Sequence, residues 1–260
     1  AAICGRECKG VVVSFELIAR WSPPLVARVT GGLFVLYIAA SFLADTLAKI
    51  GVTDSQQVFT AMTSNPLAFR LGLLAAFVSG FIFVVTAWAL YVLLARVGPQ
   101  WSLLFLLLNA VGVAVQCASL LALIGALQLV DPVGGPPDLS RAQVNALAYW
   151  SITVYETGFV AAQLFFGTWL FPLGYLVYRS GFLPRVLGVL LILDGVAEMV
   201  WLVQALVVPT RPDLRVPGIY VSLLAEVGLA LWLLIMGVKV PDGQAAEARV
   251  PPTGMGRSSG

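Results

Sequence analysis

Four acidic residues, Glu156, Asp194, Glu198 and Glu226, stand inside stretches that are otherwise apolar enough to cross a lipid bilayer. An ionised side chain at mid-depth costs at least about 2.5 kcal/mol on insertion scales, so each carboxyl must be neutral or must meet a partner, water or a cation. Asp194 and Glu198 are four residues apart, which places them on one helix face, with Trp201 a turn further along. Asn109 and Gln116 are seven apart, as are Glu156 and Gln163, and each pair again shares a face. Such stripes suit two tasks. They can hold an ion, a proton or the polar part of a ligand, or they can bond one helix to another. Glu198 and Glu226 fit both tasks equally, while the amides of Asn109 and Gln116 fit helix-to-helix bonding better.

The chemistry that is missing narrows the field. The chain contains no histidine, which removes the usual haem ligand, the commonest zinc ligand and the simplest proton shuttle at neutral pH. Cys4 and Cys8 form a lone C-x3-C in the N-terminal tail. They read as reduced thiols and not as a metal site. No phosphate-binding loop, nucleophile elbow or dinucleotide fingerprint occurs in its required context. No cofactor or metal is expected, and a net charge of +2 without a basic run gives no footing for nucleic acid.

The elements that must position these residues follow from composition. Of 260 residues, 60% are hydrophobic and only 11% are charged, and mean hydropathy is +0.95. A soluble domain is charged at about a quarter of its positions, so much of this surface must face lipid. A spanning helix needs about 20 apolar residues. Six segments qualify: 27–48, 71–95, 101–130, 156–178 with an extension back to 143, 186–208 and 218–238. Helices are required because open strands would leave backbone groups unpaired in lipid, and the alternation of a barrel is missing. The expected fold is therefore an all-α polytopic membrane bundle of six transmembrane helices. Gly- and Pro-rich turns at 96–100, 131–138 and 179–185 join the spans. The polar stretch 49–70 leaves room for a short surface helix.

The spans define a transmembrane domain over 25–240, between a 1–24 tail with an interfacial helix at 11–21 and a disordered 241–260 tail rich in Gly, Ala, Pro and Ser. No cleavable signal peptide is expected. With six spans, the tails and the second and fourth loops share one side, and that side carries ten of the fifteen Lys and Arg. The positive-inside rule then places both termini in the cytoplasm.

The stretch 165–191, reading FFGTWLFPLGYLVYRSGFLPRVLGVLL, resembles the signature of a bacterial membrane family catalogued only as domain of unknown function 4386. The segment 69–94 resembles the same family, and the likeness extends over roughly Arg28 to Val240. It implies a six-helix protein of the bacterial inner membrane and no particular activity. Members often carry a histidine in the outer part of the fourth span, where this chain reads Tyr155-Glu156-Thr157-Gly158.

At about 1.5 Å of rise per residue, Glu198 and Glu226 come to similar mid-membrane depths. Asp194 and Asn109 lie nearer the cytoplasm, and Gln116 and Glu156 nearer the outside, with Arg70 and Asp45 at the outer edge. An ion pair between Arg70 and Glu156 is one structural role expected for that acid. Three readings of function remain. The first is a binding or transport module for a lipid-like or small amphipathic ligand. The second is a partner subunit that docks another membrane protein, its acids serving as interhelical glue. The third is a membrane enzyme using paired carboxylates as acid and base, for which no nucleophile or metal set is present. Membrane lipids are the one partner common to all three.

Overall fold

Punctuation in the sequence sets the helix boundaries. The computed structural model describes residues 23–51, 54–131, 135–136 and 138–238. Within them α1 runs Pro23–Ala48, α2 Ser55–Ser64, α3 Pro66–Leu94, α4 Pro99–Leu129, α5 Arg141–Arg179, α6 Arg185–Val207 and α7 Val216–Ile235, with a 3₁₀ turn at Pro212–Arg215. Asp54 caps α2 by accepting from the Gln57 N–H at 2.9 Å. Asn65 caps α3 by accepting from Ala68 at 3.1 Å, and Pro66 and Pro99 each open a helix where the missing N–H has no partner to lose. Ser140 and Gln143 form a reciprocal capping box at the start of α5.

The six expected spans are all present as helices long and apolar enough to cross a membrane, and among the described residues there is no strand. The extension of the fourth span is real, since α5 has 39 residues. At about 1.5 Å each it is about 58 Å long, well beyond the ~30 Å of a hydrocarbon core. Its first turns therefore project past the others, and α2, the short helix expected within 49–70, packs against them. Phe59 stacks on Tyr149 with ring centroids 4.5 Å apart, and the Tyr149 hydroxyl donates to Gln56 at 3.1 Å. The expected interfacial helix at 11–21 and the disordered tail after 241 lie outside the described residues.

The spans close into a ring in chain order. α1 packs on α3, α3 on α4, α4 on α5, α5 on α6, α6 on α7, and α7 returns to α1. Without a hydrophobic drive between helices in lipid, close approach depends on small residues. On α5, Gly167 and Gly174 are seven apart, and on α6 so are Gly188 and Gly195. The antiparallel helices meet glycine against glycine. A Cβ at Gly188 would lie 2.7 Å from the Gly174 carbonyl oxygen, and one at Gly195 would lie 2.9 Å from that of Gly167.

The apolar core divides into two halves along the bundle. The half nearest the start of α1 and the end of α7, the terminal face, draws on every span, with Phe34, Phe83, Phe105, Trp169, Leu191 and Leu229 at its centre. The half at the opposite, far face is built from α1 to α5 alone, around Met62, Phe69, Leu120, Ile152 and Tyr155. α6 and α7 contribute nothing to this second cluster. Their far ends border open space instead.

Candidate functional site

The point at which α6 and α7 leave the apolar core is marked by acids. Leu191 is the last α6 residue of the core cluster and Ala225 the first of α7. Asp194 and Glu226 follow within a turn of these positions, and Glu198 and Ser222 lie one turn further toward the far face. Asp194 is only 1% exposed. The Ser222 hydroxyl donates to Asp194 Oδ1 and lies 3.4 Å from Glu198 Oε1. A hydroxyl has one proton to give, so the shorter contact takes it. Asp194 Oδ2 and Glu198 Oε2 are left buried with no hydrogen-bond partner.

Glu226 completes the group, since the charges that bear on it are those of Asp194 and Glu198. A fourth side chain arrives from α1. Tyr37, four residues before Ser41 on the same face, sits within electrostatic reach of all three carboxyls. It also stacks on Phe83, with centroids 4.0 Å apart and planes 6° from parallel. Phe83 in turn meets Trp169 edge-on at 5.2 Å. The acids thus rest on one side against a packed aromatic cluster that fixes the Tyr37 ring.

On the other side Glu198 and Ser222 border open space. A pocket of about 170 Å³ lies between α6 and α7, lined by Glu198, Ser222, Ala197, Gly218, Trp201 and Arg215. Trp201 and Arg215 also line a vestibule of about 360 Å³ at the far face. Lys49, Glu156, Phe159 and Gln204 complete much of its wall. Trp201 lies against Phe159, with ring centroids 5.9 Å apart, so two aromatic rings stand where inner pocket and vestibule meet. A vestibule of this size is within the ~300–1,000 Å³ usual for small-ligand sites.

Of the sequence candidates, Asp194, Glu198 and Glu226 are brought together, and Glu156 lines the vestibule outside them. Glu156 accepts from the Ser55 hydroxyl of α2 at 3.0 Å to each carboxylate oxygen. The ion pair expected between Arg70 and Glu156 does not form. Arg70 instead reaches Asp131 at 3.6 Å, because α3 borders α1 and α4 while Glu156 turns toward α2. Asn109 and Gln116 lie on α4, which neighbours α3 and α5. Asn109 is fully buried with both amide atoms unpartnered, and Gln116 is half-buried. Neither lines the pocket beside Glu198.

Tyr37, Ser41, Ser222 and Arg215 are the residues that sequence reasoning missed. Ser222 stands four before Glu226, and Ser41 four after Tyr37, so the same-face spacing was there to be read. Among the described residues no three His, Cys, Asp or Glu side chains converge closely enough to hold a metal ion.

The vestibule wall is anchored by one buried contact. The Tyr155 hydroxyl donates to the Ile50 carbonyl, tying the segment after α1 to α5. Replacing Tyr155 with Phe leaves that carbonyl without its donor, and a buried unsatisfied group costs about 1–3 kcal/mol. The expected result is a lower unfolding temperature in nanodiscs and faster hydrogen exchange over 49–51. Unchanged exchange there would show that the bond does not hold the segment.

No solved structure matches the chain. A protein of Archaeoglobus fulgidus described as uncharacterized is 31% identical over 96 residues, which are 35% of this chain and 53% of that protein. The chain thus spans about half the length of the curated relative it matches. The family model described as domain of unknown function 4386 matches residues 29–237, nearly the whole helical bundle, and the chain belongs to that family.

Proposed function

We propose that this multi-pass membrane protein is a binding or transport module that takes a lipid-like or small amphipathic ligand between the far halves of α6 and α7. The observation that carries the reading is the withdrawal of these two helices from the apolar core at the acids, which leaves a pocket continuous in its lining residues with the vestibule. Protein built only to hold helices together would close that space with side chains, as it does in the terminal half. The test is the Glu198→Gln, Glu226→Gln double variant, reconstituted beside the parent in nanodiscs and examined by native mass spectrometry and in liposome flux assays. At least a tenfold loss of the co-purifying small molecule or of its flux is expected. Equal retention by the double variant would sink the proposal.

The bond from Ser222 to Asp194 joins α7 to α6 and favours a second reading for that one acid, interhelical glue in a subunit that docks another membrane protein. That reading expects a second protein bound in stoichiometric amount after extraction in native lipid. A lone, ligand-bearing species argues for the first.

The proposed setting is the bacterial inner membrane with both termini in the cytoplasm, supported by the excess of Lys and Arg on the terminal side. In a background with Cys4, Cys8 and Cys117 replaced by Ser, an impermeant maleimide should label Thr63→Cys in intact cells. It should label Gln100→Cys only after permeabilisation. The reverse pattern would invert the orientation.

A further inference from the structure

We infer that the ligand of the inner pocket is a lipophilic ammonium, an amine whose charged head sits against Glu198 and Ser222, with Asp194 bonded behind Ser222, and whose apolar part lies against Trp201 and Phe159. The inference rests on the proposed binding role and adds the charge class. Its basis is geometric. Two carboxylate oxygens, Asp194 Oδ2 and Glu198 Oε2, are buried without a hydrogen-bond donor. Asp194 is 1% exposed, and its other oxygen is held by Ser222, which itself lines the pocket beside Glu198. Orphaned acceptors in such a site call for a ligand rich in donors.

Charge narrows the choice. The titratable groups that line this pocket are Glu198 from α6 and Arg215 at the mouth, and Asp194, Glu226 and Tyr37 stand behind them within electrostatic reach of one another. The floor is therefore a carboxyl group with further carboxyls behind it, and a carboxylate or phosphate head would bring more acceptors and no donor to the orphaned oxygens. A bare metal ion fits poorly, because the carboxyls do not converge tightly enough to ligate one. An ammonium carries up to three N–H donors at tetrahedral angles, so it can serve separated oxygens at the same time. The aromatic wall suits the same ligand. Trp201 presents a ring where a cation can rest on its way inward, and Phe159 beside it offers apolar surface to a tail. The 170 Å³ of the inner pocket has room for a head group of modest size, and the vestibule receives the remainder.

The experiment uses matched probes of one shape and different charge: 2-phenylethylammonium, 2-phenylethanol and phenylacetate, together with the hexyl series hexylammonium, hexanol and hexanoate. Binding to the full chain in phosphatidylcholine nanodiscs is read by tryptophan fluorescence and calorimetry at neutral pH. Ammonium probes should bind at least tenfold more tightly than the alcohols, and the carboxylates should bind weakest. Glu198→Gln should lower ammonium affinity at least tenfold and leave alcohol affinity within twofold, a split that a folding defect would not produce. Asp194→Asn, which keeps shape and a Ser222 contact, should act in the same direction. Competition by added phosphatidylethanolamine would assign the ammonium to a lipid headgroup, and indifference to it would assign a free amine; both outcomes support the class. Alcohols binding as tightly as ammonium probes would overturn the charge inference and leave the binding role standing. Binding of none of the six would overturn both, as would displacement of the ammonium by millimolar sodium alone in favour of an inorganic cation site.

Discussion

Gly188→Leu should not yield a monodisperse protein. A Cβ at this position would stand 2.7 Å from the Gly174 carbonyl oxygen and 2.7 Å from the Tyr178 backbone nitrogen. Both obstacles are main chain of a continuous helix, so no rotamer change relieves the contact, and α5 and α6 must separate. Even Gly188→Ala adds that Cβ, and overpacking of this kind costs about 1–3 kcal/mol. Leucine would also prise apart the Gly167–Gly195 contact seven residues along, where α6 meets α5 again and where the Glu198 Cβ lies 3.0 Å from a Cβ placed at Gly167. Gly125→Ala is the control. A Cβ there meets nothing within 4 Å, and it lies in the interior of α4. Alanine should then stabilise by about 0.5–1 kcal/mol through helix propensity alone. Size-exclusion profiles and thermal unfolding in the same detergent check both. A well-behaved Gly188→Leu protein would show that the α5–α6 approach is looser than described.

These glycines illustrate what was legible in the sequence and what was not. Span number and limits were open to reading because a bilayer imposes a length of about 20 apolar residues, a constraint that each segment meets without reference to its neighbours. Contacts between helices need azimuth as well as depth. The seven-residue spacings of Gly167 with Gly174 and of Gly188 with Gly195 were visible, but their pairing depends on how two helices are rotated and offset. The same gap separates Arg70 from Glu156. Depth put Arg70 and Glu156 at one edge of the membrane, and rotation gave Arg70 to Asp131 and Glu156 to Ser55.

The acids divide along that line too. Asp194 and Glu198 belong to one helix, so their common face followed from spacing alone. That Glu226 joins them depends on the neighbouring of α6 and α7, which antiparallel chain order favours and their similar depth allows. Tyr37 could not be assigned, because α1 meets α7 only through closure of the ring. Asn109 carried as strong a signal as Glu226, a polar residue at depth, yet α4 lies elsewhere in the ring. A polar residue in a span therefore reports that something is buried with it, and the ring order decides what.

Trp169→Ala should be the most damaging truncation in the terminal half. Trp169 is 1% exposed and is held edge-on by Phe83 at 5.2 Å and by Phe105 at 6.2 Å. Truncations of this size cost about 3–5 kcal/mol in water-soluble cores. In lipid the transfer contribution shrinks, because the alternative surroundings are also apolar, but the lost dispersion contacts and the cavity remain. A loss near 3 kcal/mol is expected, seen as a lowered unfolding temperature in nanodiscs. The consequence reaches the acids through rings in contact: Trp169 supports Phe83, Phe83 stacks on Tyr37, and Tyr37 faces the three carboxyls. Ligand affinity should therefore fall together with stability in Trp169→Ala, and both should largely return in Trp169→Phe, which keeps an aromatic edge against Phe83. Truncating Phe69, equally buried in the far-half core, should lower stability by a similar amount and leave affinity nearly unchanged. If Phe69→Ala and Trp169→Ala impair binding alike, the aromatic support of Tyr37 has no special part in shaping the site, and general loosening of the bundle is the cause.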